Sequence, residues 1–388
     1  MAASLYAYPW NIHDPGRDVA RIHALGIGQI SLAASYHAGK FIQPRDQAAR
    51  VYFPEDGTIY FQPQSRAYGR LRPAVASITG RADMLRVLTA RNDIAINAWL
   101  VLNHNTRLGL AHPEVTVRNC FGDPYIYSLC PSHPCVRQYC IALASDVADN
   151  YAVANVLLES AGYLAYAHGF HHEFAQVAPN VWLEAMLALC FCEHCRSGAA
   201  ADGVDAEALA RRIRTAIDEH LSADVEMNAA QAVARLAQWN ATDPDLGRLH
   251  EWRAKVVTTL VAEIRAAVRF GVGVKVISTT QRPHDMTYIE GGDLAALHRV
   301  SDGLEAPLYQ ADPAAVERDL CHVLSRTGGP ERLGIILRPG FPDIAGEPQL
   351  AETMQRIRAR GIDSFAFYNY GLLRPANLEW LRRCLAET

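Results

Sequence analysis

Lysine is almost absent from this chain: Lys40, Lys255 and Lys275 are the only three among 388 residues, and Arg supplies the rest of the 37 basic side chains. That bias reflects genome composition rather than function. No block of basic residues occurs, and 41 acidic residues bring the net charge to −4, so the electrostatic footprint of a nucleic-acid binder is missing. No apolar run approaches the roughly 20 residues of a membrane helix, and residues 1–10 lack a basic n-region and a cleavable apolar stretch. A cytoplasmic protein is expected. Gly (26) and Pro (20) make up only about an eighth of the chain, which excludes collagen-like and low-complexity classes. Glycine-rich phosphate loops are missing too: Gly271-Val-Gly273 and Gly291-Gly292 lack the spacing and the Lys such a loop needs. The expected partner is a small or neutral molecule.

What is present is half hydrophobic and punctuated at regular intervals. Short apolar, β-branched or aromatic runs fall at 4–10, 28–35, 94–103, 155–160, 272–279, 302–309, 333–338 and 364–370. Helical patterns fall at 18–25, 80–91, 133–151, 205–221, 246–270, 294–300, 314–325, 348–360 and 375–385. Repeated β-α units of this kind, eight in number, predict an α/β fold, a (β/α)₈ TIM barrel occupying the whole chain. Two helix ends run into Gly271 and Gly361, where a left-handed cap suits glycine. About 110 residues separate the fourth and fifth strands. Their Ala and charge spacing predicts a long helical insertion after strand 4, with 196–250 as elaboration within the barrel, since no Pro/Gly/Ser linker marks a separate domain.

In such a barrel the chemistry sits where strands end. The strand ends here carry Trp10, Tyr36 and His37, Trp99 to Asn103 and His104, Glu159, Glu305 to Tyr309, Arg338, and Tyr368-Asn369. Aromatics beside Asn, His and carboxylates suit a saccharide, whose rings stack by their C–H faces while their hydroxyls hydrogen-bond. Trp10, Tyr36, Trp99, Tyr163, Tyr309 and Tyr368 are the expected stacking surfaces. His37, Asn103, His104, Arg338 and Asn369 are the expected hydroxyl contacts. Glu159 follows the apolar run Asn155-Val-Leu-Leu158 and leaves the strand at the barrel mouth, where a carboxylate is costly unless used or paired. It is either catalytic or a structural partner of an Arg such as Arg338. Glu305 is the second carboxylate; its parity leaves open whether it faces the barrel or a helix. Two carboxylates are the kit for glycoside cleavage, and Glu173, Asp343 or Asp123 could stand in for Glu305.

Two clusters suggest metals. His168-Gly-Phe-His171-His172-Glu173 could be a substrate-contacting loop, with His171 and His172 touching sugar, or a metal site for a sugar isomerase or lyase. Cys190, Cys192 and Cys195 form C-x-C-x-x-C, too tight for ordinary disulfide pairing and suited to a tetrahedral ion with Cys130 as the fourth thiolate. The alternative is a set of buried thiols on a helix starting at Val181. A closed four-thiolate zinc site would be structural and would tie the loop after strand 4 to the loop after strand 3.

The order Cys130-Pro-Ser-His-Pro-Cys-Val-Arg137, helix, strand ending in Glu159, then Cys190-Phe-Cys-Glu-His-Cys195 resembles the family 42 β-galactosidases. The resemblance covers residues 130–196 and implies Glu159 as general acid/base, a structural zinc on the four cysteines, and a β-galactoside-like saccharide substrate. Residue 158 is Leu where that family has Asn, and the seventh strand, Ile335-Ile-Leu-Arg-Pro-Gly340, offers no Glu where the family keeps its nucleophile. The nucleophile has moved to Glu305, the enzyme works differently, or the barrel binds saccharide without turnover. A homo-oligomer is also conceivable for a single barrel of this size.

Overall fold

A computed structural model describes residues 2–46, 49–168, 170 and 176–386. Eight parallel strands close on themselves: β1 (Ala2–Ala7), β2 (Gln29–Tyr36), β3 (Ala95–Val101), β4 (Asn155–Glu159), β5 (Gly273–Ile277), β6 (Gly303–Pro307), β7 (Leu333–Leu337) and β8 (Ser364–Phe367). Each pairs with the next in sequence, and β1 pairs with both β8 and β2, which leaves the barrel without an edge. Eight helices return the chain between strands and after the last: α1 (Pro15–His23), α2 (Met84–Thr89), α3 (Pro134–Asn150), α4 (Pro244–Ala267), α5 (Leu294–Val300), α6 (Pro313–Thr327), α7 (Glu347–Arg358) and α8 (Pro375–Ala386). The protein is a (β/α)₈ barrel. Among the described residues no helix is long and apolar enough to cross a membrane.

Local chemistry starts and stops these elements. Asp14 accepts a hydrogen bond from the Arg17 N–H ahead of α1, and Pro15 takes the first turn, where a missing N–H costs nothing. Gly361, just past α7, has φ of +84°, as its place after the helix predicts. Before α4, the segment between β4 and β5 contains helices Val181–Leu187, Glu193–Ala201, Ala206–Leu221 and Ala229–Thr242. The first, third and fourth carry Ala- and Leu-rich buried faces. Between β3 and α3 a hairpin of Thr116–Arg118 and Pro124–Leu129 delivers the chain to Cys130.

Strand alternation divides the core into two. Ala3, Leu5 and Ala7 of β1 point outward to the helices, while Tyr6 and Tyr8 join an interior cluster with Trp99, Leu157 and Ile336. Each buried aromatic of roughly 150–250 Å² contributes about 4–6 kcal/mol at ~25 cal/mol/Å². The barrel interior is therefore a packed aromatic plug open at one end. A register shift between Ala33 and Ser35 where β2 meets β3 re-aims the strand, so that Tyr36 joins Ala33 in the interior while the Ser35 hydroxyl donates to the Val101 carbonyl.

Candidate active site

At the C-terminal ends of the strands lies a cavity of about 300 Å³ lined by Tyr6, Tyr36, His37, Trp99, Glu159, His168, Thr279, Thr280, Arg282, Tyr309, Arg338 and Tyr368, with Ile277, Pro307 and Ile336 beneath. Among the described lining residues Glu159 is the one carboxylate. It accepts a hydrogen bond of 2.6 Å from the Trp99 indole N–H. Burial raises its pKa to about 7, against the pull of that hydrogen bond, with the charge of Glu290 pushing it further up and Arg282 pulling it down. Glu159 is therefore close to half protonated at neutral pH and can both give and take a proton. Arg338 is not its partner: the Arg338 guanidinium grips Asp343 through two hydrogen bonds of 2.5 and 2.8 Å.

The walls are aromatic. Trp99 packs edge-on to Tyr6 and Tyr36, both at 5.1 Å between ring centres. Tyr8, Tyr36 and Tyr368 share hydroxyl hydrogen bonds, 2.9 Å between Tyr8 and Tyr36 and 2.5 Å between Tyr8 and Tyr368. The Arg282 and Arg338 guanidinium groups lie over the Tyr309 ring, 4.7 and 4.4 Å from its centre. His37 stacks on His104 at 4.0 Å, and the His168 ring, its pKa lowered by burial, meets His104 edge-on at 5.4 Å.

Of the residues expected from the strand ends, Tyr36, His37, Trp99, Glu159, Tyr309, Arg338 and Tyr368 come together here. Others do not line the cavity. Trp10 stacks on Tyr8 and Tyr52 behind the wall. Asn103 donates to the Ala161 and Gly162 carbonyls. His104 sits behind His37. Asn369, fully buried, accepts from the Gly371 N–H. Tyr163 lies beside Cys195 and under Arg253. His171, His172 and Glu173 lie outside the described residues.

Glu305 faces the barrel interior, which settles its parity, but sits below the cavity floor. Tyr6 donates to it at 2.6 Å, and the Lys275 ammonium is 3.7 Å away. Because Tyr6 lines the cavity, Glu305 reaches it through that hydroxyl. Asp123 is a hairpin residue bound to Asn119 and does not line the cavity.

Tyr6, Thr279, Thr280 and Arg282 in the lining and Glu290 behind it were not singled out by sequence. Four of them carried a usable signal: Tyr6 has the inward parity of β1, and Thr279, Thr280 and Arg282 follow the end of β5 directly, where the strand-end rule applies. Glu290 had none. It comes from a 3₁₀ segment, His284–Glu290, and is drawn in by the Thr279 hydroxyl at 2.9 Å and the Thr280 N–H at 3.1 Å; burial raises its pKa as well.

A second cluster stands apart. The Sγ atoms of Cys130, Cys190, Cys192 and Cys195 all lie within 4.8 Å of one another and are buried. The Cys130 Sγ is 3.6, 3.5 and 3.8 Å from those of Cys192, Cys195 and Cys190. Such separations are too long for a disulfide and match the edges of a tetrahedron of sulfurs about 2.3 Å from a central ion. The group can hold a metal ion. Cys130 ends the hairpin after β3, while the other three lie between β4 and α4, so the cluster joins those two segments. Arg253, 1% exposed, sits over Tyr163, whose hydroxyl is 3.6 Å from the Cys195 Sγ.

No family model and no curated protein matches this chain. Solved structures do. The PgaB (BpsB) glycoside hydrolase domain from Bordetella bronchiseptica superposes with a TM-score of 0.65 at 14% identity, over 99% of each chain. α-L-Fucosidase isoenzyme 2 from Paenibacillus thiaminolyticus superposes with a TM-score of 0.54 at 12% identity, over 100% of this chain and 49% of that one. This chain spans about half the fucosidase. At these identities the likeness shows a shared barrel fold.

Proposed function

With a barrel shared with glycoside hydrolases as the premise, we propose that the protein is itself a glycoside hydrolase, with Glu159 as general acid/base. The observation that carries this is a lone carboxylic acid at the mouth of the barrel, protonated near neutrality and enclosed by aromatic rings. A sugar ring stacked on Tyr309 or Tyr368 would bring its glycosidic oxygen to Glu159. Glu305 is the second carboxylate, acting as base on Tyr6. As Glu159 protonates the leaving oxygen, Tyr6 Oη attacks the anomeric carbon and passes its proton to Glu305. Burial holds the Tyr6 hydroxyl well above its usual pKa, so a free phenolate is not available and attack and proton transfer belong to one step. Water then attacks the glycosyl carbon and gives its proton to Glu159, and the departing Tyr6 oxygen recovers its own from Glu305. Two displacements retain the anomeric configuration.

The four thiolates would hold zinc as a closed structural site, supplying no chemistry to the reaction and fixing the hairpin after β3 against the segment after β4. The residues that resemble family 42 β-galactosidases are this cluster and Glu159. They bear on the acid and the metal, and none of them specifies the sugar.

The test is hydrolysis of a panel of aryl α- and β-glycosides by wild type, Glu159→Gln and Tyr6→Phe. Both variants should lose at least about 100-fold in kcat, and Glu159→Gln should lose least on substrates whose phenol leaves without protonation. Full activity in Glu159→Gln, or turnover of no glycoside by wild type, would refute the assignment.

A further inference from the structure

The two guanidinium groups that line the cavity are held differently. Arg338 is neutralised by its two-pronged contact with Asp343. Arg282 is not: among the described residues no carboxylate oxygen lies within 4.0 Å of its guanidinium. Its Nη1 donates to the Gln281 carbonyl at 2.7 Å, and its Nε is buried without a hydrogen-bond partner. An arginine cannot shed its charge as a lysine can, and enclosing an unpaired one is costly. Glu290 and Arg282 attract one another at a distance, but the Glu290 oxygens are taken up by Thr279 and Thr280, so the guanidinium has no carboxylate in contact.

The segment that presents Arg282 is braced. The Ser278 Oγ and His284 Nε2 are 2.9 Å apart, and His284 Nδ1 lies 2.9 Å from Asp319, whose other oxygen accepts from the His284 N–H at 2.7 Å. The Ser-His-Asp order is that of a nucleophilic triad, but His284 is 0% exposed and Ser278 does not line the active-site cavity. It works as a clamp, fixing the chain on both sides of Arg282 from within the fold. A clamped, half-buried guanidinium that lines the cavity with no carboxylate in contact is preorganised for an anion, since its planar fork matches a carboxylate or a sulfate.

We infer that the saccharide bound in this cavity carries an anionic group, a uronate carboxylate or a sulfate ester, paired with Arg282 while its ring stacks on Tyr309. The identity of the ligand as a saccharide rests on the proposed glycosidase function; the preference for negative charge rests on Arg282. An anion placed there also supports Glu159 in its protonated form, the form that acts as acid.

Equilibrium titration calorimetry of the full chain carrying Glu159→Gln, which removes turnover, tests this with matched sugars: glucuronate and galacturonate oligosaccharides, their sulfate-ester counterparts, and the neutral parents. One anionic set should bind at least tenfold tighter than its neutral parent, about 1.4 kcal/mol, and its affinity should fall with salt. Which set wins distinguishes carboxylate from sulfate. Adding Arg282→Gln should abolish the preference, while Arg282→Lys, a gentler change to the fold, should keep part of it. Equal affinity for neutral and anionic sugars, no binding by any anionic member, or a preference that survives Arg282→Gln would overturn the inference. A preference that appears without hydrolysis by wild type overturns the glycosidase function and supports the anion site.

Discussion

Replacing Trp99 with Phe should shift the activity of this protein to higher pH, a direction that follows from one hydrogen bond. Trp99 donates to Glu159 at 2.6 Å and so favours the ionised carboxylate; burial and Glu290 favour the protonated acid and bring the pKa to about 7. Phenylalanine keeps a ring against Tyr6 and Tyr36 but removes the donor. A hydrogen bond to a charged acceptor is worth about 1.5–3 kcal/mol, and each 1.36 kcal/mol is one pKa unit. The expected rise is about one unit, taking the lower bound because water can enter the space left by the indole. A general acid must carry its proton, so activity is present below the pKa and lost as pH rises through it. The falling limb of kcat/KM should therefore move from near pH 7 to near pH 8. ¹³C NMR titration of the Glu side chains reads the same shift without substrate. A limb that stays in place or moves to lower pH would refute the assignment of Trp99 as the group restraining this pKa.

Glu290→Gln removes a like charge and should move the limb the other way, to lower pH by up to about one unit, in the same pH-rate measurement; no movement would mean that Glu290 is electrically remote from the acid. Cys192→Ser should strip one equivalent of zinc, measured by elemental analysis, and lower Tm by about 2–3 °C if the lost anchoring is about 2 kcal/mol. Chelator-treated wild type should melt with the variant, and unchanged metal content in Cys192→Ser would exclude the site.

Much of the fold was legible because it is written in local periods. Apolar runs ending in polar or aromatic residues marked all eight strands to within a few residues, and the run Asn155–Leu158 placed Glu159 at a strand end before any contact was known. The spacing of Cys190, Cys192 and Cys195 brought three sulfurs together within six residues of chain. The failures share a cause as well. Trp10 and Asn369 sit at strand ends, yet one stacks behind the cavity wall and the other turns into the backbone, because strand-end position does not specify which way the following loop turns. Tyr36 enters the interior only because β2 slips by one residue against β3.

Sequence alone determined the eight strands, the insertion after β4, the position of Glu159 and the three-cysteine run Cys190, Cys192 and Cys195, since each depends on neighbours a few residues away. Tertiary structure decided the pairing of Tyr6 with Glu305 across 299 positions, the approach of Glu290 to Glu159 and the lack of a carboxylate in contact with Arg282. Those follow from closure of the barrel, which sets side chains from opposite ends of the chain face to face in a space of low dielectric. There, charge and protonation are governed by whatever the fold has brought near.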